Sequence, residues 1–243
     1  MTAIQTTRLT RHFQGHVAVD AIDITVNEGE FFALLGSNGA GKTTTIKMLC
    51  CLLLPTSGDA HLQGHSITTQ SQDVKRIINL SPQETAVAPN LTVQENLEFI
   101  AGIYGDPPAE AQRRAAEMMN TFSLTDRATN RARTLSGGMQ RRLSIAMAMI
   151  TQPHILFLDE PTLGLDVRAK RDLWQTLKGL RGKTTLVLTT HDLNEAEALC
   201  EQICIMHAGK VRAQGTATRL KEMTGQPTLE EVFLTLTGSG VTA

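Results

Sequence analysis

Gly36-Ser37-Asn38-Gly39-Ala40-Gly41-Lys42-Thr43 follows directly on the apolar run Phe31 to Leu35. It carries the spacing G-x-x-x-x-G-K-[ST] in full, after a stretch that reads as a strand. Glycines let such a loop aim successive backbone N–H groups at one anion. Lys42 then reaches the β and γ phosphates, and the Thr43 hydroxyl is placed to ligate Mg²⁺. Thr44 stands beside it in a helix predicted over Lys42 to Leu53. A plain glycine-rich turn would account for the glycines but not for Lys42 and Thr43. The stretch therefore predicts a nucleoside triphosphate held at the carboxyl end of a strand in a parallel α/β sheet.

Two further apolar runs end in polar chemistry in the same way: Ile155 to Leu158 before Asp159-Glu160, and Leu186 to Leu188 before Thr189-Thr190-His191. Ligands of open parallel sheets lie beyond the carboxyl ends of the strands, so these distant residues are expected in one crevice. Helical spacing of Leu173, Trp174, Leu177 and Leu180 predicts a helix over Ala169 to Leu180 with Trp174 in its core face. Asp192-Leu193-Asn194-Glu195 reads as a capping box opening another helix. Ile22, Ile24 and Val26 alternate with Asp23 and Thr25, as one half-buried antiparallel strand would before a turn at Asn27-Glu28-Gly29. Residues 84–152 lack β-branched strand runs and contain the capping box Thr92-Val93-Gln94-Glu95, which predicts an inserted helical lobe. The expected organisation is one domain. Residues 1–83 and 153–220 form the sheet core with a small antiparallel sheet, 84–152 the helical lobe, and 221–243 a tail helix.

The chain has 243 residues, 41% of them hydrophobic, enough for a sizeable core. Formal net charge is -1. The short basic stretches Arg131-Ala132-Arg133 and Arg141-Arg142 read as solvated helix faces, too small for a nucleic-acid footprint. No apolar window reaches the length of a membrane span, and Met1-Thr2-Ala3-Ile4-Gln5 lacks the core of a secretion signal. The expectation is a cytoplasmic protein that meets a membrane only through a partner. Cys50, Cys51, Cys200 and Cys204 lack paired C-x-x-C spacing and read as buried, unreactive thiols. His61 and His65 flank a predicted hairpin, not a metal-binding helix face. Met139, Met147 and Met149 read as helix core.

Leu135-Ser136-Gly137-Gly138-Met139-Gln140-Arg141-Arg142 opens a helix with Ser136 as cap. With this stretch the chain resembles the ATP-binding-cassette ATPases, from residue 4 to about 215. The matching features run in order: Phe13, the phosphate loop, Gln83 in Leu80-Ser81-Pro82-Gln83, Leu135-Ser136-Gly137-Gly138, Ile155 to Pro161, Gly164-Leu165-Asp166 and His191. The resemblance implies a P-loop NTPase (RecA-like) core, ATP and Mg²⁺ as ligands, and ATP hydrolysis. Phosphoryl transfer needs neutralised charge on the γ-phosphate and an in-line water. Lys42 and Mg²⁺ supply the charge, and Asp159 with Thr43 is expected to hold the metal. Glu160 is expected to polarise the water. Gln83 would sense the metal and that water at the hinge to the helical lobe. His191 either bridges the γ-phosphate and the water or is a core histidine. Phe13 either stacks on adenine or packs in the core.

Ser136 and Gly138 form an anion site with no phosphate of its own chain to bind. The resemblance implies that Ser136, Gly137, Gly138 and Asp166 of one copy close on the ATP held by a second copy, head to tail. Leu163, Val167 and Met147 depart from the residues usual at these positions, Ser or Thr, Pro, and Arg, which leaves the tuning of communication across the pair open. Near the end, Thr228-Leu229-Glu230-Glu231 reads as a capping box, with Leu229, Val232, Phe233 and Leu236 on one face of a short helix. Residues beyond Gly238 are expected to fray. The ending Pro227 to Phe233 resembles that of drug-resistance exporter ATPases. The leading expectation is the energy-coupling subunit of an exporter at the cytoplasmic face of the cell membrane. It would dock on a separate permease through a groove around Gln83 and Glu84 to Tyr104. The alternative is a soluble cassette ATPase of translation or DNA repair, although neither inserted coiled coils nor a second cassette is present.

Overall fold

Along the central strands the side chains alternate between two apolar layers. Phe31, Ala33 and Leu35 turn to one face with Leu156, Leu158, Leu186 and Leu188. Phe32 and Leu34 turn to the other with Ile155, Phe157 and Val187. Strands buried on both faces read as continuous apolar runs, which is why these three are legible in the sequence. Burial of each such Leu, Ile or Phe contributes roughly 1.5–3 kcal/mol.

The protein is described here from a computed structural model covering residues 1–238. It begins with β1 (Thr2–Phe13), β2 (His16–Ile22), β3 (Thr25–Asn27), β4 (Phe31–Leu35), α1 (Lys42–Leu49), β5 (Ser57–Leu62) and β6 (His65–Ser66). Next come α2 (Ser71–Ile77), β7 (Ile78–Ser81), α3 (Val93–Ile103), α4 (Pro108–Thr121), α5 (Gly137–Met149) and β8 (Ile155–Asp159). The chain continues with α6 (Val167–Lys178), β9 (Thr185–Thr190), α7 (Leu193–Leu199), β10 (Gln202–His207), β11 (Lys210–Gly215), α8 (Ala217–Thr224) and α9 (Leu229–Thr237). The larger sheet has the order β11-β10-β4-β9-β8-β7. Its pairs are parallel except β10 with β11. A second, antiparallel sheet joins β2, β1, β5 and β6, with β3 also on β1. This is the expected α/β architecture.

Several boundaries differ from the sequence reading. The predicted strand through Ile22 and Val26 is two strands, because Thr6 Oγ1 donates to Ile22 O at 2.9 Å and accepts from Ile24 N at 2.8 Å. That inserted side chain takes up backbone groups a continuous ladder would have used. Helix α1 stops at Leu49 rather than Leu53, since Cys51 turns to a φ of 54°. Helix α6 starts at Val167, capped by Asp166, and ends at Lys178. Trp174 is only partly buried but packs against the core as expected. Strands β1, β7, β10 and β11 were not read from the sequence.

Of the three predicted capping boxes, Thr92 with Glu95 closes in both directions. Asp192 accepts from Asn194 N and Glu195 N, but the Glu195 side chain turns inward to Trp174 Nε1 at 3.2 Å. Thr228 accepts from Glu231 N, while Glu231 answers the Thr228 hydroxyl rather than its backbone. The hairpin at His61 and His65 is present, with Leu62 opposite His65. Leu229 and Val232 of α9 are buried, and Phe233 and Leu236 pack against the core, so the helix covers its own domain. The tail beyond Gly238 lies outside the described residues. Cys50 and Cys204 are buried, Cys51 and Cys200 partly so, and all four are free. Burial pushes each thiol up, Cys204 to about 12, which keeps them unreactive.

Candidate nucleotide site

Strands β4, β9 and β8 lie side by side with Leu35 opposite Thr190 and Asp159 opposite Thr189. The residues that follow them, Gly36, His191 and Glu160, therefore leave the sheet in one row. Beyond this edge is a cavity of about 460 Å³ lined by Phe13, the loop from Asn38 to Thr44, Gln83, Glu160 and His191. His16, Ala18 and Leu163 also line it; of these only Leu163 was singled out in the sequence, and not as a lining residue. Gly41 has a φ of 102°, and a Cβ there would sit 2.5 Å from Ala18 O. No other residue type fits that turn into α1.

Lys42 is 5% exposed; its ammonium donates to Gly36 O at 2.7 Å and lies 3.2 Å from Glu160 Oε1. The other Glu160 oxygen is 2.8 Å from His191 Nδ1. Glu160 is 8% exposed and holds a φ of 48°, a conformation an L side chain adopts only under constraint. The constraint is Thr189, whose hydroxyl accepts from Glu160 N at 3.0 Å and donates to Asp159 Oδ1 at 2.5 Å. One side chain of β9 thus holds the Asp159 carboxylate and the main chain of Glu160. Its role was missed in the sequence, although knowing the strand pairing would have placed it next to Asp159. Thr43 Oγ1 lies 3.1 Å from the same Asp159 oxygen, so a hydroxyl and a carboxylate already meet at the loop. This hard oxygen pair suits a divalent cation shared with phosphate oxygens. The His191 side chain is 47% exposed toward the cavity, which excludes a core histidine. Phe13 is 45% exposed, with the Arg11 guanidinium 4.7 Å from its ring centroid, so it is not a core residue either.

Ser136, Gly137, Gly138 and Asp166 do not line the cavity. Ser136 caps α5 by accepting from Met139 N, and both Ser136 and Gly137 are exposed. A Cβ on Gly138 would stand 3.0 Å from Ala169 Cβ, so glycine lets α5 approach α6 there. Asp166, also exposed, caps α6 by accepting from Ala169 N at 2.9 Å.

The Arg141-Arg142 pair departs from expectation. Arg141 is 4% exposed rather than solvated, and its guanidinium donates to the main-chain carbonyls of Pro82, Gln83, Asp159 and Pro161. Burial pushes its pKa down to about 10, which leaves it charged near neutrality. Glu195 is a second buried group, 1% exposed. Burial pushes its carboxyl up, against hydrogen bonds from Thr190, Thr162 and Trp174. A carboxyl raised in the folded state favours the protonated form, so its contribution to stability falls as pH climbs above the ordinary value of 4.5. Glu195→Gln, which mimics that neutral form, is expected to melt at or above the wild type at neutral pH. Its advantage should shrink as pH is lowered toward 4.5 in a series of thermal melts. A variant melting well below the wild type at pH 7 would mean that the charge itself is needed.

Comparison with known proteins identifies this constellation. The sequence matches the family described as ABC transporter over residues 19–163. It is 41% identical to the daunorubicin/doxorubicin resistance ATP-binding protein DrrA of Streptomyces peucetius, an alignment covering 93% of this chain and 69% of that one. It is 42% identical to the Nod factor export ATP-binding protein I of Cupriavidus metallidurans, with 88% and 72% covered. Among solved structures, an ATP-binding subunit of an ABC transporter superposes with a TM-score of 0.85 at 30% identity, covering 96% of this chain and 99% of that chain. A dimeric ATP-binding cassette in a post-hydrolysis state, bound to ADP and Pi, gives 0.78 at 28% identity, with 88% and 98% covered. With a family match over more than half of its length and relatives aligned along nearly all of it, the chain belongs to the ABC transporter family and is one of its ATP-hydrolysing members.

Proposed function

We propose that the chain is the motor of an exporter: two copies bind MgATP head to tail and drive a separate permease at the cytoplasmic face of the membrane. The observation that carries this reading is the division of the motif set. The phosphate loop, Gln83, Glu160 and His191 share one cavity, while Ser136, Gly137 and Asp166 sit exposed outside it and Gly138 is half-buried beside them. A capped helix end that presents N–H groups with no phosphate of its own calls for a nucleotide held by another copy. Leu163 and Val167, 49% and 71% exposed beside Asp166, give that seam an apolar strip. Likeness to a dimeric cassette supports pairing.

Within each site, Lys42 would leave Glu160 for the β and γ phosphates, and Phe13 would receive the adenine. Thr43 and Asp159 would hold Mg²⁺, with Gln83 beside it; the metal supplies charge neutralisation at the phosphates. Glu160, freed from Lys42 but still held by Thr189 and His191, would accept hydrogen-bond density from the attacking water. Among the described residues no three His, Cys, Asp or Glu side chains cluster to hold a metal, so the nucleotide would complete the metal's shell.

No described helix is long and apolar enough to cross a membrane, which leaves the pathway to a partner. Phe99 and Ile103 on α3 and Tyr104 at its C-cap are 57%, 61% and 58% exposed, close after Gln83 in the chain, and suit an apolar helix of that partner. Two relatives named for drug resistance and Nod factor export support outward movement. Glu95 is committed to the cap of α3, so Glu98 and Phe99 are the cleaner probes. Glu98→Lys with Phe99→Glu is expected to retain ATP binding while the chain no longer co-purifies with an integral protein from washed membranes. Undiminished recovery with that partner would reject this docking face.

A further inference from the structure

Arg141 holds together three parts of the molecule that the motif set treats separately. It lies on α5, the helix capped by Ser136. Its Nε donates to Pro161 O at 2.9 Å, one terminal nitrogen donates to Asp159 O at 2.9 Å, and the other donates to Pro82 O and to Gln83 O, the latter at 3.3 Å. These acceptors lie at or within two residues of the ends of two neighbouring parallel strands, β7 and β8, whose register sets Ser81 opposite Leu158. Asp159 and Pro161 bracket Glu160, and the other pair includes Gln83 itself. Among the described residues no carboxylate forms an ion pair with this guanidinium; its hydrogen bonds go to main-chain oxygens, with the Asp159 and Glu195 charges nearby favouring its protonated form. Carbonyls at strand exits have no ladder partner, and a planar fork with several fixed N–H groups can gather them where a single ammonium cannot.

We propose that Arg141 is a positioning residue that locks the Ser136 helix to the Gln83 and Glu160 segments, so that seating a nucleotide against Ser136 sets the geometry of water attack. A rigid helix moved at its capped end carries the guanidinium with it, and both segments must follow or lose hydrogen bonds to a buried charge. Displacement by about 1 Å of a group acting on the attacking water is enough to lower turnover by about 10²-fold. This inference rests on the proposed roles of Glu160 and Gln83.

The test uses the full chain and compares Arg141→Gln, Arg141→Lys, Gln83→Ala and the double variants. Arg141→Gln is expected to lower kcat by about 10- to 100-fold while KM for MgATP moves less than about threefold. Arg141→Lys, which keeps the charge but reaches fewer carbonyls, should recover part of that loss and serves as the probe if the Gln variant does not fold. On a Gln83→Ala background the Arg141 substitutions should cost much less than they do alone, because the segment they position has already lost its side chain. A general loosening of the fold would instead multiply the two losses, and that outcome overturns the proposal, as does a raised KM with unchanged kcat. Glu160→Gln run in parallel separates the levels. If that variant turns over like the wild type, the assignment of Glu160 is what fails. If it is slow and the Arg141 and Gln83 losses multiply, only the Arg141 inference fails.

Discussion

Glu160→Gln is expected to keep nucleotide binding and to slow hydrolysis by about 10²- to 10⁴-fold. The Glu160 carboxylate lies 3.2 Å from the Lys42 ammonium, so removing its charge takes away a competitor for the group proposed to reach the phosphates. Affinity should therefore hold or rise as turnover falls. Because Gln has nearly the same shape, the constrained backbone and the bond from Glu160 N to Thr189 survive. The variant thus isolates the loss of a group able to polarise water. Parallel measurement of nucleotide affinity and phosphate release decides the matter. Near wild-type turnover would remove Glu160 from the chemistry.

Ser136→Asp is expected to cost about 10²-fold in hydrolysis without unfolding α5. Aspartate caps a helix as well as serine, so the bond from Met139 N persists, but in the proposed head-to-tail pair a carboxylate would face the γ-phosphate of the other copy's nucleotide. Chains with Ser136→Asp or Glu160→Gln are each nearly inactive alone, yet their mixture should regain activity. In a mixed pair, one site combines an unaltered Glu160 from the first chain with an unaltered Ser136 from the second. We expect the mixture to exceed either variant by at least about tenfold. A site complete within one chain would give only the average of the two, and that result would dissolve the paired arrangement.

What the sequence revealed and concealed follows from how local each signal is. The loop at Gly36 to Thr43, the carboxylates after β8 and the histidine after β9 were legible because each is a polar group placed directly after an apolar strand. The capping box at Thr92 was legible because both of its bonds lie within one turn. Asp192 and Glu195 have the same spacing, yet Glu195 turned inward to Trp174, Thr162 and Thr190, a choice made by neighbours distant in the chain. Strand β7 was hidden because Ile78-Asn79-Leu80-Ser81 is too short and mixed to separate from the helix before it.

By itself the sequence pointed to a candidate nucleotide cavity at the carboxyl edge of a parallel sheet and to most of the side chains lining it, because a strand and its following loop carry that chemistry in adjacent residues. Only the tertiary structure decided that Arg141 is buried while its neighbour Arg142 is not fully so, that Thr189 holds the Asp159 carboxylate and the Glu160 main chain, and that Ser136 stands apart from the cavity. These depend on which unpaired carbonyls and hydroxyls the register of β7, β8 and β9 brings together, and no local periodicity encodes a partner on another strand.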